Sequence, residues 1–233
     1  SRTEGKDKGM ANFNVHLSGA IVGGLALANA GWSVGLWTGQ HMLTVLMLTT
    51  IGGLIPDIDQ SNSHSVRLLF NLLGLMGMVL GSTLMHGSYP FWLLMLLSIS
   101  IYFVIRYGVA MLFLAYSTHR GNCHSLAAMA FAGVVTAMAA YQLTGDAVLS
   151  WSYGLALMVG VLIHLGLDEA YSVDFAGVRI KKSFGSAVKM ISMDAPLAGL
   201  ALVVGTLFLL FSFAPPLSDA VALYRFLRSQ VPI

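Results

Sequence analysis

Long apolar runs broken by short polar clusters fill this chain, and that pattern admits one class of fold. Seven runs approach or reach the roughly 20 residues that a helix needs to cross a bilayer. They are Val15–Gly31, His41–Ile55, Val66–Met85, Pro90–Tyr116, His124–Leu143, Ser150–Ala170 and Ala195–Phe213. The second is short and is expected to insert only in part. The fourth is long and holds Arg106 near its middle, so a tilted or broken helix is expected there. Charged side chains number 12 Lys+Arg and 10 Asp+Glu in 233 residues, or 9%. A soluble domain carries about 25%, so this chain cannot cover a water-facing surface. The mean hydropathy of +0.78 agrees. The expected fold is all-α: a polytopic transmembrane helical bundle of about seven helices.

The domain plan follows. Residues 1–14 read as a polar tail, 15–213 as a single transmembrane helical domain, and 214–233 as a C-terminal interfacial segment. In that last segment Val221, Leu223, Phe226 and Leu227 alternate with Arg225 and Arg228, the pattern of a helix lying in the interface. Arg2, Lys6 and Lys8, the first apolar run and Ala28-Asn29-Ala30 imitate a signal peptide. A histidine and several glycines within the run argue instead for a retained span. A net charge of +2 gives no ground for nucleic-acid binding. The single cysteine, Cys123, excludes an internal disulfide.

Lys and Arg set the expected orientation. They occur in the N-terminal tail, at Arg67, at Arg120, and at Arg179, Lys181, Lys182 and Lys189. The alternate connections, near 32–40, 86–89 and 144–149, carry none. The N-terminus is therefore expected in the cytoplasm; Arg225 and Arg228 alone disagree. The same threading gathers the polar clusters at the cytoplasmic face.

Those clusters carry the chemistry. Scarce imidazoles and carboxylates at helix ends are the side chains that hold divalent metals. His164 and Asp168 are one helical turn apart on one face. They suit two ligands, or a ligand and its orienting carboxylate, and equally a polar helix end. His119 and His124 bracket Arg120-Gly121-Asn122, where Gly121 lets the chain fold so that both rings converge. Arg120 is placed to neutralise a developing anion. Asp57 and Asp59 flank Ile58 after Pro56 and would complete or bridge a site. Taken alone, His16 reads more readily as an interface residue than as a ligand. His64 is an outer candidate. His41 and His86 fall at the opposite face and are excluded. Cys123 reads as a small residue at a helix start. Gly19-x-x-x-Gly23 and Gly77-x-x-x-Gly81 permit close helix packing.

Pro56-Asp57-Ile58-Asp59, His119-Arg120-Gly121-x-x-His124-Ser125-Leu126 and His164-x-x-x-Asp168 with Gly177 downstream resemble the blocks of the YdjM-like family. That family is described as membrane-bound, metal-dependent hydrolases, also called LexA-binding inner-membrane-associated hydrolases. His16 matches its early histidine. The chain departs from the pattern at Gln60, where a histidine is usual, at Cys123, where a threonine is, and at Ser172-Val173. The resemblance implies a bacterial inner-membrane location and a metal site.

The reading that follows is a divalent-metal-dependent hydrolase at the cytoplasmic membrane surface. Its metal ligands would be His16, His119, His124, His164, Asp168 and Asp59, with Asp57 and Arg120 catalytic. A mixed His/Asp set suits zinc first and manganese second. Membrane lipid is the expected partner, and a lipid-borne ester or phosphoester the expected substrate class; a protein partner is left unidentified. The alternative is a non-enzymatic membrane subunit using the clusters as a structural metal or docking site. An ion transporter ranks last, because it wants ionisable groups along a midplane path.

Overall fold

The computed structural model describes residues 13–59, 64–111, 125–174, 179–180 and 196–230. Among them are eight α-helices: α1 (Phe13–Ser33), α2 (Met42–Leu54), α3 (His64–Leu84), α4 (Phe91–Phe103), α5 (Leu126–Thr144), α6 (Ala147–Ser172), α7 (Pro196–Ser212) and α8 (Leu217–Ser229). The only extended structure described is a two-residue antiparallel pair, Val173–Asp174 with Arg179–Ile180. The fold is all-α, and each of the seven apolar runs contains a helix. Five helices are long and apolar enough to cross a membrane: α1, α3, α4 with its continuation, α5 and α6. The count becomes six if α7 and α8, bent by 98° at their junction, form one broken span. With 13 residues, α2 rises only about 20 Å and does not span alone. Side chains such as Phe91, Trp92 and Phe211 stand exposed, which water would not tolerate and lipid covers.

The chain divides into two compact units, residues 1–56 with 121–233, and residues 57–120. The first is built around α6, 61% of whose span is buried. Small residues bring three backbones together there. A side chain at Gly52 would meet the carbonyl of Leu157, and one at Gly160 the carbonyl of Thr49, so α2 and α6 touch main chain to main chain. Gly53 faces Ala20 of α1, while Gly19 and Gly23 face Leu167 and Ile163 of α6. The first Gly-x-x-x-Gly motif is therefore a helix contact. On the other flank of α6, Gly133 of α5 faces Met158, and Gly154 faces the Gly133 carbonyl. Trp37 donates its indole N–H to the Ala28 carbonyl at 3.0 Å and folds the α1–α2 connection onto α1. The chain then reverses through Gly145, whose φ of 67° ends α5 in a left-handed cap. Past Pro215-Pro216, α8 buries Leu223, and Trp151 of α6 donates to the Pro216 carbonyl at 3.2 Å.

The start of α5 gives the Ser125 of the polar motif a plain physical role. Ser125 is fully buried, and its hydroxyl accepts from the Ala128 N–H at 3.1 Å. It is the N-cap that satisfies one orphan donor of the helix. Ser125→Ala is expected to lower stability by about 1 kcal/mol, and Ser125→Thr, which keeps the capping hydroxyl, to lower it less. Thermal unfolding of the detergent-solubilised protein measures both.

The second unit is an antiparallel helix pair. Gly74 of α3 faces Tyr102, Gly77 faces Ile101 and Ile105, and Gly81 faces Ile101, so the second Gly-x-x-x-Gly motif is also a packing surface. Tyr102 donates to the Asn71 side-chain oxygen at 3.2 Å. The break expected in the fourth apolar run takes a definite form: residues Val104–Val109 adopt π-helical geometry before the α-helix resumes at Ala110. Such turns add a residue to the helical circuit and recur at functional positions. Arg106 lies within them, its guanidinium carbon 5.0 Å from the Tyr107 ring centroid.

Candidate metal centre

Two helices of the first unit deliver three polar side chains to one point. α1 brings His16 on its first turn; α6 brings His164 and Asp168 near its end. Glycines at 19 and 23 let α1 lie close enough to α6 for these groups to meet. His16 is 2% exposed and His164 0%. Their rings stack at a centroid distance of 3.8 Å, only 11° from parallel. Both Nε2 atoms then face the same carboxylate: His16 Nε2 lies 3.1 Å from Asp168 Oδ1, and His164 Nε2 lies 3.3 Å from Asp168 Oδ2.

The orientation of His164 comes from main chain. Its Nδ1 lies 2.7 Å from the carbonyl oxygen of Gly53. A carbonyl only accepts, so Nδ1 carries the proton and donates. In a neutral ring, Nε2 then holds a lone pair, the state of a metal ligand. That lone pair points at a carboxylate oxygen, an arrangement stabilised by a cation, a proton or a metal ion, between the two. Gly53 lies in the last turn of α2, where carbonyls have no partner within the helix; that turn closes through Ile55, which donates to the Ile51 and Gly52 carbonyls.

The donor set fits a divalent ion. Ligand atoms of His16, His164 and Asp168 all lie within 4.8 Å of one another. The two His–Asp separations, 3.1 and 3.3 Å, run to different carboxylate oxygens, so the carboxylate faces both rings. Nδ1 of His16 is buried with no hydrogen-bond partner among the described residues, so this ring has a nitrogen to spare.

The structure thus joins three of the residues singled out in the sequence. His16 is not an isolated interface histidine: it is buried against His164. Asp57 is half-buried in the 3₁₀ turn Pro56–Asp59 that follows α2. Asp59 ends that turn and His64 begins α3, and nothing of their side chains is described. His119, Arg120, Cys123 and His124 lie outside the described residues, as do Gln60 and Gly177. His41 lies at the start of α2, at the other end of that helix from Gly53, with its Nδ1 2.7 Å from the Tyr153 hydroxyl.

The sequence reading passed over two contributors. The Gly53 carbonyl orients His164, and the pointer to it was the Gly52-Gly53 pair just ahead of Pro56. Glu169, half-buried beside Asp168, adds a second carboxylate at this end of α6. Compared with known families, residues 10–214 match the model described as YdjM inner membrane protein. No curated protein and no solved structure matches the chain.

Proposed function

We propose, for a chain that belongs to the YdjM inner membrane protein family and is therefore an integral protein of the inner membrane, that it is a divalent-metal-dependent hydrolase. The observation that carries this reading is the His16–His164–Asp168 group. These three residues would hold the ion; His119, His124 and Asp59 remain ligand candidates from the sequence motifs. Zinc suits the imidazole-rich set best, and manganese is second. Bound there, such an ion supplies a Lewis acid and lowers the pKa of a coordinated water. The chain's own groups do the rest. Gly53 fixes the His164 tautomer. From the sequence motifs, Asp57 would serve as general base and Arg120 would neutralise developing negative charge. The Lys/Arg bias of the loops supports a cytoplasmic face for the site, where a lipid-borne ester or phosphoester is within reach.

Elemental analysis of the detergent-purified protein, followed by turnover on a panel of lipid esters and phosphoesters, tests this directly. Arg120→Ala is expected to keep its metal while turnover falls by about 10²–10³-fold. One metal per chain with no turnover on the whole panel would overturn the hydrolase.

The burial of His16 and His164 favours a second reading, since structural metal sites are closed and catalytic ones keep an open position. In that reading the chain is a non-enzymatic membrane subunit and the ion a staple between α1 and α6. The same experiment separates them: a staple leaves Arg120→Ala indistinguishable from wild type in every respect.

A further inference from the structure

The second unit holds a cleft that plays no part in the metal chemistry. Its volume is about 530 Å³, and it lies between α3 and α4 at the end of the pair where the two helices are joined. Met78, Val79, Met95 and Ile99 give it flexible or branched apolar walls. Ser82, Thr83 and Ser98 add hydroxyls, and His86, in the joining turn, stands at its mouth.

Ser98 is the informative residue. It is 4% exposed, and its Oγ has no hydrogen-bond partner among the described residues. Helical hydroxyls in apolar surroundings ordinarily bond the carbonyl one turn back. Neighbours in this unit do so: Ser100 donates to the Leu96 carbonyl at 2.8 Å, and Thr83 to the Val79 carbonyl at 2.9 Å. Ser98 keeps its O–H for an acceptor that the described chain does not supply. Its surroundings say what kind. Phe91, Met95 and Ile99 of the cleft wall are exposed, and 6% of the candidate span that holds them is buried, so on a chain that crosses a membrane the cleft opens towards lipid. An ester carbonyl accepts and does not donate, which complements a hydroxyl with a proton to give.

We propose that this cleft binds one glycerophospholipid of the surrounding bilayer. An acyl chain lies along Met78, Val79, Met95 and Ile99, and an ester carbonyl accepts from Ser98. The site stands independently of the hydrolase reading.

Native mass spectrometry of the full chain in detergent, with diester and diether phosphatidylglycerol of equal chain length as probes, tests the proposal. Wild type is expected to retain the diester about fivefold better, the worth of one hydrogen bond. Ser98→Ala should remove that preference without harming the fold, and Met95→Trp, which fills the cleft, should lower retention of both lipids. Soluble glycerol phosphate should not compete. Equal retention of diester and diether by wild type would overturn the proposal, as would competition by glycerol phosphate, which assigns the site to a free anion. A photo-crosslinker at position 95 that captures protein in place of lipid would assign the cleft to a partner, and would also overturn it.

Discussion

Purified His164→Ala protein is expected to lose the ion proposed to bind there. The substitution removes one of the three side chains proposed as ligands and, with it, a ring held in a ligand tautomer by a backbone carbonyl. Perturbing a group that merely orients a metal ligand costs 10–100-fold in affinity; removing the ligand itself should cost at least about 100-fold. The same loss is readable as stability. An ion at 100 times its dissociation constant stabilises the folded state by about 2.7 kcal/mol. A chelator should therefore lower the thermal midpoint of wild type and leave His164→Ala unmoved. His164→Gln, which keeps most of the volume, separates loss of the ligand from the cavity that alanine leaves. A wild type indifferent to chelator, with no metal by elemental analysis, would remove the metal centre altogether.

Gly160→Leu is expected to be the most destabilising single change in the first unit. A Cβ at position 160 would overlap the Thr49 carbonyl and come within 2.8 Å of the Gly53 nitrogen. Both are main-chain atoms of α2, so no side chain can rotate away. Helices that pack through small residues have no other way to relieve the overlap than to separate, and overpacking of this kind costs about 3 kcal/mol. Separation also withdraws the Gly53 carbonyl from His164, so metal retention should fall with stability. Gly166→Leu is the control on the same helix, because a Cβ there meets nothing within 4 Å. If both variants unfold and bind metal alike, the close α2–α6 approach is not what holds the site.

How much of this the sequence could tell depended on whether the physics was local. Apolar runs are local, and they mark α1, α3, α5, α6 and α7 within a few residues. The spacings Gly19/Gly23 and Gly77/Gly81 are local too, although their partners on α6 and α4 are not. The π-helical turns at Val104–Val109 leave no periodicity to find, because six residues are too few to shift a hydrophobic pattern; only the length of the run and Arg106 hinted at a break. His16 enters the ligand set through the family's early histidine and not through its neighbours, because the residues it meets are 148 and 152 positions away and nothing in the first apolar run names them. Ser125 belonged to a recognisable motif, yet its task of capping α5 is independent of metal chemistry. Gly53 was hard to read for a deeper reason: the Gly52-Gly53 pair ahead of Pro56 marks a helix end, but the group that matters is a carbonyl oxygen, which every residue has.

That carbonyl bears on how this protein tolerates mutation. An orienting group on a side chain can be deleted by one codon change at its own position. The acceptor for His164 belongs to the backbone, so substitution at residue 53 changes what α2 packs against but cannot delete the oxygen. A saturation screen for loss of metal should therefore return size-increasing changes along the α2–α6 seam, at 52, 53 and 160, beside the ligands themselves. The genetic footprint of the centre would be a stripe of glycines intolerant of bulk.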